Sequence, residues 1–199
     1  MSIAFQQDLV RAMYQSYHGR SRERRRDTST GMIDAVTMIE SNFDRPGNLE
    51  VVARIGGQLV FFWRDSGPNY LWRGPSALIS DGLTVTGVSG NPALIQSRFG
   101  NRGNVELVVP LAAGGLAHFW RDNDDPQLPW HGPYPFGRAA GVVDAVAMIE
   151  SNFGNPGNLE VVARVGNQLV FFWRDSGPGF IWNGPTPITS SPRGGCRPR

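Results

Sequence analysis

The chain has 199 residues, a formal net charge of +2 and one cysteine, Cys196. A single cysteine excludes an intramolecular disulfide framework, and no apolar run reaches the roughly 18 residues that predict a membrane-spanning helix. The N-terminus lacks the apolar segment typical of a signal peptide, so the sequence leaves the location open: cytoplasmic by default, or secreted by another route.

Charge is distributed unevenly along the chain. Residues 1–27 carry six arginines against three acids, and residues 193–199 carry three more arginines. Residues 28–192 carry ten arginines and fourteen acids. Proteins that bind nucleic acid usually present basic charge on a folded face. We therefore expect a basic N-terminal tail at 1–27 and a solvated tail at 191–199, and we expect neither nucleic acid nor a membrane as a partner.

One segment of the chain occurs three times. Asp34–Pro68 and Asp144–Pro178 differ at only five positions, and a weaker copy spans Asn91–Asp122. The triplet Trp-Arg-Asp begins at Trp63, Trp120 and Trp173, in steps of 57 and 53 residues. A period of this length predicts stacked units, none of which buries its apolar surface alone.

Each copy contains four short apolar runs separated by turn residues. In the first copy they are Ala35–Ile39, Leu49–Arg54, Leu59–Arg64 and Tyr70–Trp72. Gly56-Gly57 is a typical two-residue hairpin loop, which places Glu50 opposite Trp63 and Val52 opposite Phe61. The copies therefore predict antiparallel sheets of four strands.

Both faces of each predicted sheet are largely apolar, whereas a sheet with one solvated face alternates apolar and polar residues. This indicates sheets covered on both sides, as in a β-propeller. We predict an all-β, β-propeller-like domain at 28–190 with about three blades, at 28–86, 87–139 and 140–190. Three blades leave two apolar faces uncovered, so we expect either a homodimer that completes a ring or a piece of a longer array.

The repeated Trp-Arg-Asp triplet is the first candidate site. A flat aromatic ring next to hydrogen-bonding side chains suits a sugar, whose C–H faces pack on the ring while its hydroxyls bind the polar groups. The alternative is structural: the tryptophan fills space between blades and the arginine and aspartate form a local ion pair. The candidate residues are Trp63, Arg64, Asp65, Trp120, Arg121, Asp122, Trp173, Arg174 and Asp175.

The motif Trp-x-Gly-Pro follows each triplet and starts at Trp72, Trp130 and Trp182. Proline is tolerated at a sheet edge or a strand end, so the motif is expected in the outer strand and the turn after it. Each tryptophan either caps the core or forms one wall of a pocket beside the next blade.

Two further features belong to the middle copy alone. His118 occupies the position of Phe61 and Phe171, and it either binds a ligand or is a satisfied core histidine. Asp122–Asp125 offers three carboxylates, but it lacks the glycine and glutamate of an EF-hand, so we expect a solvated loop and no metal.

The middle copy resembles the blades of bacterial and fungal fucose-binding β-propeller lectins. The resemblance rests on the strand that starts at Pro92, the strand Val105–Val109 with one acid, the strand Gly115–Asp122 and the outer Trp130. It implies a sugar bound between adjacent blades, against tryptophans, with polar residues on its hydroxyls. It implicates His118, Trp120 and Trp130, and in the other copies Trp63, Trp72, Trp173 and Trp182.

The sequence contains none of the common catalytic or nucleotide-binding motifs. We therefore predict a carbohydrate-binding, lectin-like repeat protein that is not an enzyme, with a glycan as partner and no cofactor. The alternatives are a non-catalytic scaffold or protein-interaction module, and an accessory domain of a secreted hydrolase.

Overall fold

Fourteen strands make up almost all regular structure in the described part of the computed structural model, residues 32–43, 46–67 and 69–189. The predicted tails at 1–27 and 191–199, with Cys196, lie outside these residues. One short 3₁₀ helix, Arg138–Ala140, accompanies the strands. The strands are β1 Ile33–Glu40, β2 Leu49–Ile55, β3 Gln58–Arg64, β4 Trp72–Ala77, β5 Ile79–Ser80, β6 Leu83–Thr84, β7 Ala93–Gln96, β8 Val105–Pro110, β9 Leu116–Arg121, β10 Trp130–Phe136, β11 Ala145–Glu150, β12 Leu159–Val165, β13 Gln168–Arg174 and β14 Trp182–Pro187.

The predicted hairpin register is confirmed. Glu50 lies opposite Trp63 and Val52 opposite Phe61, with Gly56 at the turn in a left-handed conformation. Sheet 1 has the order β1-β2-β3-β4, and sheet 3 repeats it as β11-β12-β13-β14. The prediction of four-stranded antiparallel sheets is thus confirmed for the first and third copies.

The fourth strand of each copy begins later than the apolar pattern predicts. In sheet 1 it is Trp72–Ala77 and not Tyr70–Trp72, and it therefore runs through the Gly-Pro of the Trp-x-Gly-Pro motif. The register shifts at this point, between Phe61 and Trp63 on the partner strand, so that the proline lies in an irregularity of an edge strand.

The glycine of this motif is required by close packing. In sheet 2, Gly132 has φ 124°, and a Cβ there would lie 2.8 Å from both the His118 carbonyl oxygen and the Phe119 ring. Gly74 and Gly184 have similar φ values and similar close contacts. The motif thus holds the outer strand tightly against the strand that carries the candidate site residues.

Sheet 2 has six strands, in the order β6-β5-β10-β9-β8-β7, where four were predicted. The additional hairpin β5–β6 comes from residues assigned to the first blade, and Ser80 pairs in parallel with Trp130. The segment that connects sheet 1 to β7 must satisfy its backbone N–H and C=O groups. It does so by pairing with β10, and this extends the outer edge of sheet 2.

The two faces of each sheet differ in one charged residue. The arginine face carries Arg64, Arg121 or Arg174, and the glutamate face carries Glu50, Glu106 or Glu160. One apolar core forms between the glutamate face of sheet 1 (Val52, Leu59) and the arginine face of sheet 2 (Leu107, Phe119). A second core forms between the glutamate face of sheet 2 and the arginine face of sheet 3.

The sheets therefore stack in sequence, glutamate face on arginine face. At one edge of the stack, the first strand of sheet 2, β7, contacts the first strands of the two other sheets, β1 and β11. The arginine face of sheet 1 and the glutamate face of sheet 3 lie at its two ends. Within the described residues, no helix is long and apolar enough to cross a membrane.

Gly132→Ala should lower the free energy of unfolding by at least about 1–3 kcal/mol, because an L-residue is strained at this φ and its Cβ would clash with backbone. Urea unfolding measures the change. Gly177→Ala is the control, since a Cβ at Gly177 meets nothing within 4 Å. Equal stability of the two variants would contradict this role for the motif.

Candidate functional site

Each of the two interfaces between sheets contains one buried acid and one buried base. The acid stands on the second strand of one sheet, and the base is the last residue of the third strand of the next sheet. At the first interface they are Glu50 and Arg121; at the second they are Glu106 and Arg174. Removing charged groups from water is unfavourable unless they are paired. The partners of the acid and the base therefore determine whether an interface is closed by a direct ion pair or leaves a polar group without a partner.

The first interface is closed by a direct ion pair. Arg121 Nη1 lies 2.7 Å from Glu50 Oε2, and Arg121 Nη2 donates to Glu50 Oε1 at 2.9 Å. Arg121 Nε donates to Asn123 Oδ1 at 2.9 Å. The rings of Phe43, Phe61 and Trp130 lie 5.6–5.8 Å from the guanidinium carbon. Every polar group of Arg121 named here has a protein partner, which leaves none of them for a ligand.

The second interface differs because His118 replaces the phenylalanine. Its Nε2 lies 2.7 Å from Glu106 Oε2, and Ser97 Oγ donates to Glu106 Oε1 at 2.9 Å. Both carboxylate oxygens are therefore engaged within sheet 2. The hydrogen-bond partner that the described residues offer Arg174 is His118, with Arg174 Nη1 3.5 Å from His118 Nδ1.

The Nε of Arg174 is buried and has no hydrogen-bond partner among the described residues. Ser176 stands where Asn123 binds Arg121 at the first interface, and its own backbone N–H donates to Asn158. Arg174 therefore lacks counterparts of the two groups that hold Arg121, which are the Glu50 carboxylate and the Asn123 side-chain oxygen. The guanidinium of Arg174 packs against two rings that also contact each other, those of Phe99 and Phe180, whose centres lie 5.0 and 5.2 Å from its central carbon.

An open cleft of about 410 Å³ lies over these groups. Its walls are mainly aromatic, and its polar groups come from both sheets. Phe136 stacks on Trp182 at 4.0 Å and orients that indole ring. The lining residues are Phe99, Asn104, Glu106, His118, Trp120, Tyr134, Arg174, Gly179, Phe180 and Trp182.

Burial controls the protonation of this cleft. Burial lowers the pKa of His118, and this effect outweighs the hydrogen bond that His118 donates to Glu106, which raises the pKa. The histidine is therefore neutral at pH 7: Nε2–H donates to Glu106, and Nδ1 accepts from Arg174. Burial also lowers the pKa of the Arg174 guanidinium, while Glu106 opposes the change.

The structure brings four of the predicted site residues together in this cleft: His118, Trp120, Arg174 and Trp182. Trp120 also packs against His131, with ring centres 4.3 Å apart, and His131 Nδ1 lies 3.1 Å from Asp81. Arg121 and Trp130 belong to the closed first interface. Arg64 lies against Tyr70 and Trp72 at one end of the stack, at 5.5 and 5.8 Å from the ring centres.

The other predicted residues have local contacts outside the cleft. Asp65 pairs with Arg73, which also lies over the Trp63 ring. Trp173 stacks on Phe171, and Asp175 accepts a hydrogen bond from Asn158. The local ion pair weighed for each triplet is absent among the described salt bridges, in which no arginine of a triplet contacts the aspartate of its own triplet.

The aspartates of the middle triplet and its loop bind backbone. Asp122 Oδ1 accepts from the N–H groups of Asp124 and Asp125, and Asp124 accepts from those of Asn101 and Arg102. No cluster of three or more metal-ligating side chains occurs in the described ranges.

Sequence reasoning missed Glu106, Asn104, Tyr134, Phe99 and Phe180 as cleft residues. The signal for the acid was present, since Glu50, Glu106 and Glu160 stand at the same position in each copy. The two phenylalanines lie in loops, where no strand periodicity indicates which way a side chain points.

The comparisons with known proteins place the fold. No family model and no curated protein matches this chain. Among solved structures, the chain is similar to the BP39L lectin from Burkholderia pseudomallei, with a TM-score of 0.58 and 24% identity over 81% of this chain and 42% of that one. It is also similar to AofleA from Arthrobotrys oligospora, with a TM-score of 0.56 and 10% identity over 78% of this chain and 43% of that one. The chain thus shares its fold with these proteins and spans less than half of their length.

Arg121→Ala should destabilise the protein by about 3–5 kcal/mol, because it leaves the Glu50 carboxylate buried without its partner. Arg174→Ala should cost clearly less, since Glu106 keeps His118 and Ser97. Thermal and urea unfolding of the two variants test this difference. Equal losses would show that Arg174 has a structural role equivalent to that of Arg121.

The lowered pKa of His118 predicts a pH dependence of stability. As the pH falls below about 6.5, the unfolded chain binds a proton at His118 before the folded protein does. The free energy of unfolding should therefore decrease as the pH falls from about 6.5 towards the folded-state pKa, with no contribution from this group above that range. Urea unfolding of the wild type and of His118→Phe at about pH 5 and pH 7.5 isolates the contribution of this histidine. The same change in the free energy of unfolding between the two pH values in both proteins would contradict the lowered pKa.

Proposed function

We propose that this protein is a non-catalytic, lectin-like carbohydrate-binding protein of β-propeller-like architecture, and that it binds a sugar in the cleft between sheets 2 and 3. The observation that carries the proposal is a buried arginine with an unpaired Nε in an open, aromatic-lined cleft. A site of this kind combines apolar walls with a few convergent polar groups, as small-molecule sites generally do.

The chemistry of the cleft suits a sugar ring. Trp182 offers a flat surface for the C–H face of a pyranose, and Arg174 offers donors for its hydroxyl oxygens. Contacts within the protein position Arg174, because its guanidinium packs against the rings of Phe99 and Phe180. The similarity to a protein described as a lectin, BP39L, supports the same function.

The two interfaces of the chain are not equivalent in this proposal. The triplet repeat predicts several similar sites, but the Glu50–Arg121 pair occupies the corresponding space at the first interface. We therefore assign sugar binding to the second interface alone. His118 is the residue that distinguishes them, because it engages Glu106 and so keeps Arg174 from forming the direct pair.

A glycan array with the intact protein identifies the sugar, and titration calorimetry then measures its affinity. Arg174→Ala should weaken binding by about 1–3 kcal/mol, which is roughly 5- to 150-fold, because hydrogen bonds to a charged group are in that range. Arg102→Ala is the matched control, since Arg102 is exposed in a loop and does not line the cleft. Equal binding by both variants would contradict the assigned site.

His118→Phe recreates the residue found at positions 61 and 171. It should release Glu106 to pair with Arg174, as Glu50 pairs with Arg121, and so abolish sugar binding while the protein remains folded. Circular dichroism and calorimetry on the same sample separate the two effects. Failure of the intact protein to bind any glycan would instead favour the scaffold or protein-interaction alternative.

A further inference from the structure

The two ends of the sheet stack expose side chains whose counterparts are buried inside it. On the arginine face of sheet 1, Met38 is 58% exposed, while its counterpart in sheet 3, Met148, is 7% exposed. On the same face Trp72 is 52% exposed, against 9% for Trp130 in sheet 2. The face of sheet 1 at this end of the stack therefore has the residue types of an interface between sheets, but none of the described residues covers it.

The opposite end shows the complementary property. On the glutamate face of sheet 3, Leu169 is 37% exposed, whereas Leu59 at the equivalent position of sheet 1 is 1% exposed. Around them the two faces are nearly identical: Glu160, Val162, Phe171 and Trp173 repeat Glu50, Val52, Phe61 and Trp63. This end is thus a second copy of the surface that packs on sheet 2 at the first interface.

The charges of the two ends also match. Arg64 is held against Tyr70 and Trp72, and its Nε is buried without a hydrogen-bond partner in the described structure. Glu160 stands at the position of Glu50 and has no ion-pair partner among the described residues. Each end therefore carries one half of the Glu–Arg pair that closes the first interface.

We infer that the arginine face of sheet 1 binds the glutamate face of sheet 3 of a second copy of this chain, and that Arg64 of one copy pairs with Glu160 of the other. Each chain presents one face of each kind, so two copies form two identical junctions and leave no face uncovered. Two different complementary surfaces on one chain form a closed ring when the rotation between copies closes, and an open filament when it does not. The size agrees, because the matched part of this chain fills 42% and 43% of its two structural neighbours.

The residues at the junction define its chemical character. Phe171 stands at the position of His118 and is a phenylalanine, as Phe61 is in sheet 1, so sheet 3 has no histidine there that would divert Glu160 from Arg64. The junction is therefore of the closed kind, held by a direct ion pair and apolar packing. The dimer would keep two open clefts, one between sheets 2 and 3 of each copy.

Sedimentation velocity of the full chain at micromolar concentration, without any sugar, tests the inference independently of the proposed function. The wild type should sediment with twice the chain mass of 21.8 kDa. Arg64→Glu and Glu160→Arg should each shift the population to monomer, because both junctions then join like charges. Arg102→Glu, a charge reversal in an exposed loop, should remain dimeric.

Mixing the two single variants provides the decisive measurement. A heterodimer of Arg64→Glu with Glu160→Arg has one wild-type junction and one with reversed charges, so the equimolar mixture should recover the dimer. The double variant should recover it as well. A monomeric wild type, an open-ended larger assembly, or a mixture that stays monomeric would each overturn the inference. Circular dichroism of every variant shows whether loss of the dimer reflects loss of folding.

Discussion

The pairing of one buried acid with one buried base determines how the sheets of this protein meet. A carboxylate on the second strand of one sheet and a guanidinium at the end of the third strand of the next are brought into the same dry layer. Neither group is tolerated there alone, because its lost hydration must be replaced by protein partners. The apolar cores supply most of the contact between sheets, and this pair decides whether the layer closes completely.

A single side chain changes that outcome at the second interface. Phe61 is inert towards the acid, so Glu50 reaches Arg121 directly. His118 has the same position but carries two nitrogens, and it bonds Glu106 on one side and meets Arg174 on the other. Both oxygens of Glu106 have partners, yet the buried Nε of Arg174, a residue that lines the open cleft, has no hydrogen-bond partner among the described residues. The presence of histidine in place of phenylalanine at position 118 thus accompanies the difference between an interface closed by an ion pair and one that contains a candidate binding cleft.

The divergence of the middle copy explains why the two interfaces differ although the first and third copies are nearly identical. Sheet 2 supplies the arginine face of one interface and the glutamate face of the other. Asn123, which anchors Arg121, and His118, which engages Glu106, both belong to this copy. The near identity of the outer copies has a different consequence, since it preserves two complementary surfaces at the ends of the stack.

The amino-acid sequence by itself determined the strands, the hairpin register and the composition of each sheet face. These depend on turn residues and on a period of two, and both act over a few neighbouring residues. The sequence pattern did not predict the later start of β4 or the additional hairpin β5–β6, because the position of an edge strand depends on the sheet that it joins more than on its own residues.

Only the tertiary structure decided which residues line the cleft. Successive residues of a strand point to opposite faces, so Trp120 and Arg121 of one triplet belong to different interfaces, and Trp120 lines the same cleft as Arg174 of the next copy. The acid of each pair comes from a sheet more than 50 residues away along the chain, as for Glu50 and Arg121. No local pattern encodes such a contact, because it exists only after two sheets have packed and water has been removed from between them.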